Sequence, residues 1–123
     1  MPSSSSRKVL VVDDLADNLL LLQTILEVEG YEVDTADNGS LALAKIAASP
    51  PDLVLLDVMM PEMNGYEVTK RVRQNDKLPF IPILLVSAQE EASMIEGLKV
   101  GANDFIRKPI DFGELLARIK VFL

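Results

Sequence analysis

Cysteine and histidine are both absent from this chain of 123 residues. Without cysteine there is no disulfide framework and no thiolate that could act as a nucleophile or a metal ligand. Without histidine the chain cannot be a histidine kinase or a phosphohistidine carrier, and it lacks the commonest general base and zinc ligand. These two absences exclude several classes of enzyme, of carrier and of metal site.

Basic residues and long apolar runs are also scarce. Acidic residues outnumber basic ones by 19 to 12, and the resulting net charge of −7 disfavours direct binding to a nucleic-acid backbone. No apolar run approaches the ~20 residues that a membrane span requires, and the polar residues 1–6 lack the hydrophobic region of a signal peptide. We therefore expect a cytoplasmic protein that contacts neither nucleic acid nor membrane directly.

The remaining composition is that of one ordinary globular domain. Hydrophobic residues make up 49% of the chain and charged residues 25%, so a core can form without disulfides. We expect the serine-rich residues 1–7 to form a disordered tail and residues 8–123 to form the domain. The apolar, uncapped residues 121–123 are typical of a domain excised from a longer protein.

Strand-like and helix-like segments alternate along the whole chain. The predicted elements are strands at 8–12, 32–35, 53–57, 81–86 and 104–107 and helices at 16–29, 39–48, 65–74, 90–99 and 111–122. Five strand–helix repeats predict a parallel sheet with helices on both faces, in which the alternating second strand is an edge. Gly30 predicts the end of the first helix, and Asn64 with Glu67 and Asp111 with Glu114 predict capped helix starts.

Five polar residues stand at or just beyond the ends of four predicted strands: Asp13, Asp14, Asp57, Ser87 and Lys108. If the strands are parallel neighbours, these side chains meet at one edge of the sheet. In open α/β sheets that edge is where ligands bind.

The three carboxylates indicate a cation site. Crowded carboxylates repel one another, and Mg²⁺ prefers oxygen ligands. The alternative is that Asp13 and Asp14 merely cap the loop into the first helix. Asp57 follows four apolar residues, where a carboxylate is costly, and as a nucleophile it could form an acyl phosphate, with the carbonyl of Met59 as a further metal ligand.

The hydroxyl and the ammonium complete a site for a phosphoryl group. Lys108 could pair with Asp57 at rest and with phosphoryl oxygens afterwards, although most lysines are solvated surface residues. Ser87 could donate a hydrogen bond to the same oxygens, and its alternative role is that of a helix N-cap.

Four motifs, found at residues 11–14, 55–65, 87–88 and 101–109, together resemble the receiver domain of bacterial two-component response regulators. The stretch 104–111 is similar to receivers attached to diguanylate cyclases and hybrid kinases. The resemblance implies a flavodoxin-like doubly wound (βα)5 fold with strand order 2-1-3-4-5. It also implies a phosphorylation-dependent switch in which Asp57 accepts a phosphoryl group from a sensor histidine kinase or a histidine phosphotransfer protein.

The resemblance assigns roles to further residues. It implies that Asp13, Asp14 and Asp57 hold Mg²⁺, that Ser87 senses the phosphoryl group with Lys108, and that the Lys108–Pro109 bond is cis. Phe105 would be the switch aromatic, with simple core packing as the alternative. The readout face would comprise the fourth helix, the fifth strand and the last helix, and it would contact an output domain or a second copy.

Four neighbouring residues are predicted to tune the site or to bind the partner. In receivers, Met59 and Gln89 would flank the path of the hydrolytic water, and Met59 orients water poorly, so slow self-dephosphorylation is expected. In the first helix the predicted core stripe is Leu21, Leu22, Ile25 and Leu26. That stripe leaves Leu19 and Leu20 facing outward, and Leu15 and Leu19 are the predicted docking patch for the kinase partner.

Three rival functions compete with the switch, which is not itself a turnover enzyme. An Asp-nucleophile phosphatase would carry a second Asp where Met59 stands. A flavin carrier would need a Ser/Thr/Gly-rich phosphate loop where Asp13 and Asp14 stand. A degenerate receiver acting only as a binding module would lack an acid or the lysine, and none is missing here.

Overall fold

The computed structural model describes residues 6–88 and 91–123. Five strands alternate with five helices, with bounds β1 Lys8–Val12, α1 Ala16–Val28, β2 Glu32–Ala36, α2 Gly39–Ala48, β3 Leu53–Asp57, α3 Gly65–Gln74, β4 Ile83–Ser87, α4 Glu91–Lys99, β5 Asp104–Arg107 and α5 Phe112–Phe122. Most of the predicted tail, residues 1–5, and the predicted tuning residue Gln89 lie outside the described residues. No helix in the described part of the chain is long and apolar enough to cross a membrane.

The five strands form one parallel sheet in the order β2-β1-β3-β4-β5, which confirms the predicted fold. β3 and β4 are buried along their whole length, so their sequences are continuously apolar before a final polar residue. β2 is an edge strand, as its alternating pattern predicts.

Side chains alternate between the two faces of the sheet and build one core on each. On one face, strand residues such as Leu56 and Leu85 form a cluster with Ile46 of α2 and Val68 of α3. On the other face, strand residues pack with α1 and α5, including Leu26 and Ile119. Each fully buried aliphatic side chain contributes about 1.5–3 kcal/mol to stability, so the two cores hold the sheet edge in place.

Local signals position the helix starts as predicted. The side chain of Asn64 accepts a hydrogen bond from the backbone N–H of Glu67 at 2.9 Å, and Asp111 accepts one from Glu114 at 3.1 Å. Gly30 has φ of 96°, the left-handed conformation expected at a helix end. β4 begins at Ile83 rather than at residue 81 because Pro82 has no N–H to donate to a strand ladder.

The predicted phase of α1 is partly wrong. Leu22 and Leu26 are buried as expected, but Leu21 is 49% exposed. Leu19, predicted to face outward, is half-buried and packs against the cluster that contains Leu22. Four consecutive leucines leave the helix phase undetermined, and the structure selects Leu19, Leu22 and Leu26, which recur every three or four residues along one face.

Candidate phosphoacceptor site

The carboxyl ends of four strands bring the five predicted polar residues to one edge of the sheet. Asp13 follows the last residue of β1, Asp57 ends β3, Ser87 ends β4, and Lys108 follows β5. The parallel register places Asp57 opposite Val86 and Ser87 opposite Arg107. Burial of the strands therefore fixes the spacing of the polar residues.

The three carboxylates form a compact acidic cluster. One oxygen from each of Asp13, Asp14 and Asp57 lies within 4.8 Å of the other two. Asp13 and Asp57 are only 3% and 4% exposed, whereas Asp14 reaches the surface. Buried carboxylates this close together disfavour their ionised forms unless positive charge is nearby.

Asp13 also holds the loop that enters α1. Its Oδ1 accepts a hydrogen bond from the backbone N–H of Leu15 at 2.9 Å, and its Oδ2 accepts one from the side-chain amide of Asn18 at 3.1 Å. The loop-capping role considered as an alternative is therefore present. The same carboxylate belongs to the acidic cluster, so capping of the loop is compatible with the predicted role of Asp13 as a metal ligand.

The electrostatics of Asp57 reflect competing neighbours. Burial raises the pKa of the Asp57 carboxyl, and the negative charge of Asp13 raises it further. The Nζ atom of Lys108 lies 3.4 Å from Oδ1 of Asp57, and the backbone N–H of Met59 donates to the same oxygen at 3.3 Å. Both neighbours act in the opposite direction and lower this pKa, without cancelling the effect of burial.

These residues fit a hard divalent cation. The cluster offers several anionic oxygens, the ligands that Mg²⁺ prefers, and a cation there would relieve the repulsion between Asp13 and Asp57. A single ammonium at 3.4 Å leaves the three-carboxylate cluster with excess negative charge. The donor set and its charge therefore match the predicted magnesium site.

A glycine lets α3 begin directly against the acceptor strand. A Cβ atom on Gly65 would lie 2.6 Å from the carbonyl oxygen of Asp57 and 2.9 Å from Cα of Val58. Its backbone N–H donates to the carbonyl of Val58 at 3.0 Å. The start of α3 thereby lies against the backbone of Asp57 and Val58, a contact that the sequence pattern did not reveal.

Ser87 and Lys108 are joined through the backbone. The N–H of Lys108 donates to the carbonyl of Ser87 at 2.9 Å, and the bond between Lys108 and Pro109 is cis, as the resemblance implies. Ser87 is fully buried and is the last residue of β4. Because α4 begins four residues later, Ser87 does not occupy the N-cap position of that helix.

Phe105 is buried between the sheet and α4. A Cβ atom on Gly97 would lie 3.7 Å from Cδ2 of Phe105 and 2.6 Å from Cδ1 of Leu85, so α4 packs closely on this part of the sheet. The ring therefore faces inward, an orientation compatible with both the switch role and simple core packing.

The two predicted docking residues differ in exposure. Leu15 is 56% exposed, and Leu19 is half-buried. Beside the acidic cluster lies a cavity of about 200 Å³, lined by Asp13, Asn18, Leu21, Leu22, Lys108, Pro109, Ile110 and Phe112. The sequence pattern did not reveal the apolar wall of this cavity, although the apolar residues Ile110 and Phe112 soon after Pro109 are a usable signal.

The model for the response regulator receiver domain matches residues 9–120, and this chain belongs to that family. The chain is 44% identical over 116 residues to the response regulator PleD of Caulobacter vibrioides, covering 94% of this chain and 26% of PleD. It is 44% identical over 118 residues to the alkaline phosphatase synthesis transcriptional regulatory protein PhoP of Bacillus subtilis, covering 96% of this chain and 49% of PhoP. The chain thus spans half or less of the length of these curated relatives.

A solved structure agrees with this assignment. The chemotaxis protein CheY4 of Vibrio cholerae superimposes with a TM-score of 0.90 at 36% identity, covering 97% of this chain and 100% of that chain. Receiver domains are signalling modules rather than enzymes, generally bind Mg²⁺ at an acidic pocket, and interact with histidine kinases or phosphotransfer proteins. The acidic cluster found here is consistent with that family property.

Proposed function

We propose that residues 8–123 form a cytoplasmic receiver domain in which Asp57 accepts a phosphoryl group from a sensor histidine kinase or a histidine phosphotransfer protein. The observation that carries the proposal is the buried Asp57 carboxylate, set beside Asp13 and 3.4 Å from the ammonium of Lys108. A nucleophile, negative ligands and a cationic partner for phosphoryl oxygens thus occupy one sheet edge.

The transfer is a nucleophilic displacement at phosphorus. A carboxylate oxygen of Asp57 forms the new O–P bond as the P–N bond of phosphohistidine breaks. The donor imidazole, protonated on its other ring nitrogen, departs neutral with the electron pair of the broken bond. Asp13, Asp14, Asp57 and the carbonyl of Met59 would hold Mg²⁺, which when bound offsets the negative charge on the phosphoryl oxygens.

Two residues respond to the new group. The ammonium of Lys108 moves its pairing from the Asp57 carboxylate to the phosphoryl oxygens, and the hydroxyl of Ser87 donates a hydrogen bond to them. Phosphorylation replaces one negative charge with about two and adds acceptor oxygens, so it biases a domain with two accessible conformations. The position of the Phe105 ring then depends on the position of Ser87, and the ring transmits this change to the surface of the domain.

The readout face comprises α4, β5 and α5. Ile95 and Leu98 of α4 are exposed apolar residues on the helix that packs beside Phe105. A shift of α4 changes how this apolar surface is presented. The face would contact an output domain or a second copy of the chain.

The decisive experiment is labelling with a small acyl phosphate and Mg²⁺, read by intact mass. We expect the gain of one phosphoryl group, lost in Asp57→Asn and retained in Asp111→Asn. The second variant is the matched control because Asp111 caps α5 and Asn caps equally well. Folded wild-type protein that gains no phosphoryl group would instead indicate a degenerate receiver acting as a constitutive binding module.

Met59 is expected to prolong the phosphoryl lifetime. Its side chain is 57% exposed beside Asp57, and a thioether is too weak an acceptor to orient an attacking water. Met59→Asn should therefore accelerate loss of the phosphoryl group, whereas Met59→Leu should not. Decay followed by intact mass measures both, and an unchanged lifetime in Met59→Asn contradicts this role.

Leu15 and Leu19 form the proposed partner-docking patch. Leu15 supplies the exposed apolar surface, and Leu19 contributes from a half-buried position, so Leu19→Ser would also disturb the core. Leu15→Ser is thus the informative variant, and Val28→Ser, at the far end of α1, is its exposed control. Transfer from a phosphohistidine donor should slow only in Leu15→Ser, while labelling by a small acyl phosphate stays unchanged in both.

A further inference from the structure

Arg73, near the end of α3, makes three short hydrogen bonds from its guanidinium. Nε donates to the carbonyl of Gly101 at 2.9 Å, Nη1 to the carbonyl of Ile81 at 2.8 Å, and Nη2 to Oδ1 of Asn103 at 2.7 Å. Gly101 and Asn103 lie between α4 and β5, and Ile81 precedes β4. The side chain of Arg73 therefore connects α3, the segment before β4 and the connection between α4 and β5. These contacts lie at the end of the sheet opposite the acidic cluster.

The acceptor residues are in turn fixed to β4. Oδ1 of Asn103 also accepts a hydrogen bond from the N–H of Ile83 at 2.9 Å, and the N–H of Asn103 donates to the carbonyl of Ile83 at 2.9 Å. The connection that leaves α4 is thereby locked to the first residue of the neighbouring strand.

The surroundings of Arg73 are shaped to hold its guanidinium. Burial lowers the pKa of the guanidinium, and no carboxylate among the described residues forms an ion pair with it. Its positive charge instead meets neutral oxygens and the ring of Phe80, whose centroid is 5.0 Å away. Gly101 has φ of 111°, and a Cβ atom there would lie 2.8 Å from Cγ of Arg73. The backbone thus approaches the side chain as closely as a glycine permits.

The opposite end of α4 faces the phosphoacceptor edge. The helix begins at Glu91, four residues after Ser87, and ends at Lys99, two residues before Gly101. A displacement of Ser87 would act on the amino end of α4, whereas the guanidinium of Arg73 holds the connection that follows its carboxyl end.

We propose that Arg73 is a positioning residue that makes the carboxyl end of α4 the fixed pivot of the switch. This inference rests on the proposed function, because it assumes that Ser87 moves when Asp57 is phosphorylated. With the pivot in place, movement at Ser87 tilts α4 rather than displacing it as a whole, so the change is largest at its amino end.

Hydrogen exchange of the unphosphorylated protein tests the clamp itself. The N–H groups of Ala102 and Asn103 donate to Gly97 and Ile83, and we expect Arg73→Met to accelerate their exchange at least about tenfold. Exchange of the amide of Val11, a buried residue in the interior strand β1, corrects for any loss of global stability. Arg71→Met is the matched control, since Arg71 lies on the same helix and, among the residues that the structure describes, pairs on the surface with Glu67 alone. Equal exchange at Ala102 in the two variants would overturn the clamp.

The phosphorylated protein tests the pivot. In the wild type, exchange changes should diminish from the amino end of α4 toward Ala102. In Arg73→Met they should extend through Asn103, although an acyl phosphate labels Asp57 at the wild-type rate. Asn103→Asp should preserve the wild-type profile because a carboxylate oxygen accepts the same two hydrogen bonds. A wild type that takes up no phosphoryl group overturns the proposed function, whereas labelling with a uniform change along α4 overturns the pivot alone.

Discussion

The two ends of the sheet treat buried charge in opposite ways. At the carboxyl ends of the strands, Asp13 and Asp57 are buried side by side, and the ammonium of Lys108 compensates them only in part. At the other end, the partly buried guanidinium of Arg73 has an acceptor for each of its three nitrogens. Negative charge is in excess at the carboxyl end, whereas at the amino end the cationic group is hydrogen-bonded to neutral oxygens that belong to the surrounding fold.

Helix α3 joins these two ends. Gly65 at its start lies against the backbone of Asp57, and Arg73, one residue before its end, reaches the connection between α4 and β5. The helix packs on the sheet through Val68 and Val72, both buried. A rigid element thus fixes the distance between the reacting residue and the clamp.

The largest effect on stability should come from removing the hydrogen-bonded guanidinium of Arg73. Arg73→Met retains most of the aliphatic stem but removes the guanidinium donor from two carbonyls, and it leaves Oδ1 of Asn103 with one donor instead of two. We expect a loss of about 2–3 kcal/mol in the free energy of unfolding. Urea denaturation measures this loss. Arg71→Met should leave the midpoint unchanged, and comparable losses in the two variants would break the contrast between the ends.

Adding a side chain at Gly65, where α3 lies against the end of β3, should lower the free energy of unfolding by a somewhat smaller amount. A methyl group at Gly65 would meet backbone atoms of Asp57 and Val58, which yield only by shifting the strand end, and we expect Gly65→Ala to lose about 1–3 kcal/mol. Gly113→Ala is the control because the nearest atom there is the side-chain oxygen of Asp111, at 3.3 Å.

The same variant should slow labelling of Asp57. Denaturation and acyl phosphate labelling of Gly65→Ala measure both effects. Wild-type stability with wild-type labelling would show that α3 does not position the acceptor.

The buried carboxyl of Asp57 should make the stability of the metal-free protein depend on pH. Because the pKa of Asp57 is raised in the folded state, the folded protein binds more protons than the unfolded chain above the ordinary value of 3.8. Stability relative to Asp57→Asn should therefore fall as pH rises from 3.8 through the raised value, and it should stay lower above it.

Denaturation of both proteins in a chelator across this pH range gives the difference, in which most other titrating groups cancel. Parallel stability curves would mean that burial of Asp57 carries no penalty.

Much of this site could be predicted from one sequence because the signal is local. Asp13, Asp57, Ser87 and Lys108 each lie at a strand end, and a parallel sheet brings such ends together whatever the loops do. The strand order came from the resemblance, since strand patterns alone do not fix which strands are neighbours.

The remaining features depend on packing. The leucines at 19–22 fit several helix phases, so the burial of Leu19 and the exposure of Leu21 were settled only by contacts with the sheet. The hydrogen bond from Arg73 to Asn103 joins residues 30 positions apart, and arginine near the end of a helix is too common to predict a clamp.

The most direct test of a cation site at the acidic cluster is the effect of Mg²⁺ on thermal unfolding. If the acidic cluster is a cation site, Mg²⁺ should raise the Tm of the wild type above that in sodium salt of equal ionic strength, because the cation binds only the folded state. Asp13→Asn should lose most of this increase, whereas Arg73→Met should keep it from a lower starting Tm. An equal increase in Tm in the wild type and in Asp13→Asn, or no increase in either, would show that the acidic cluster is not a cation site.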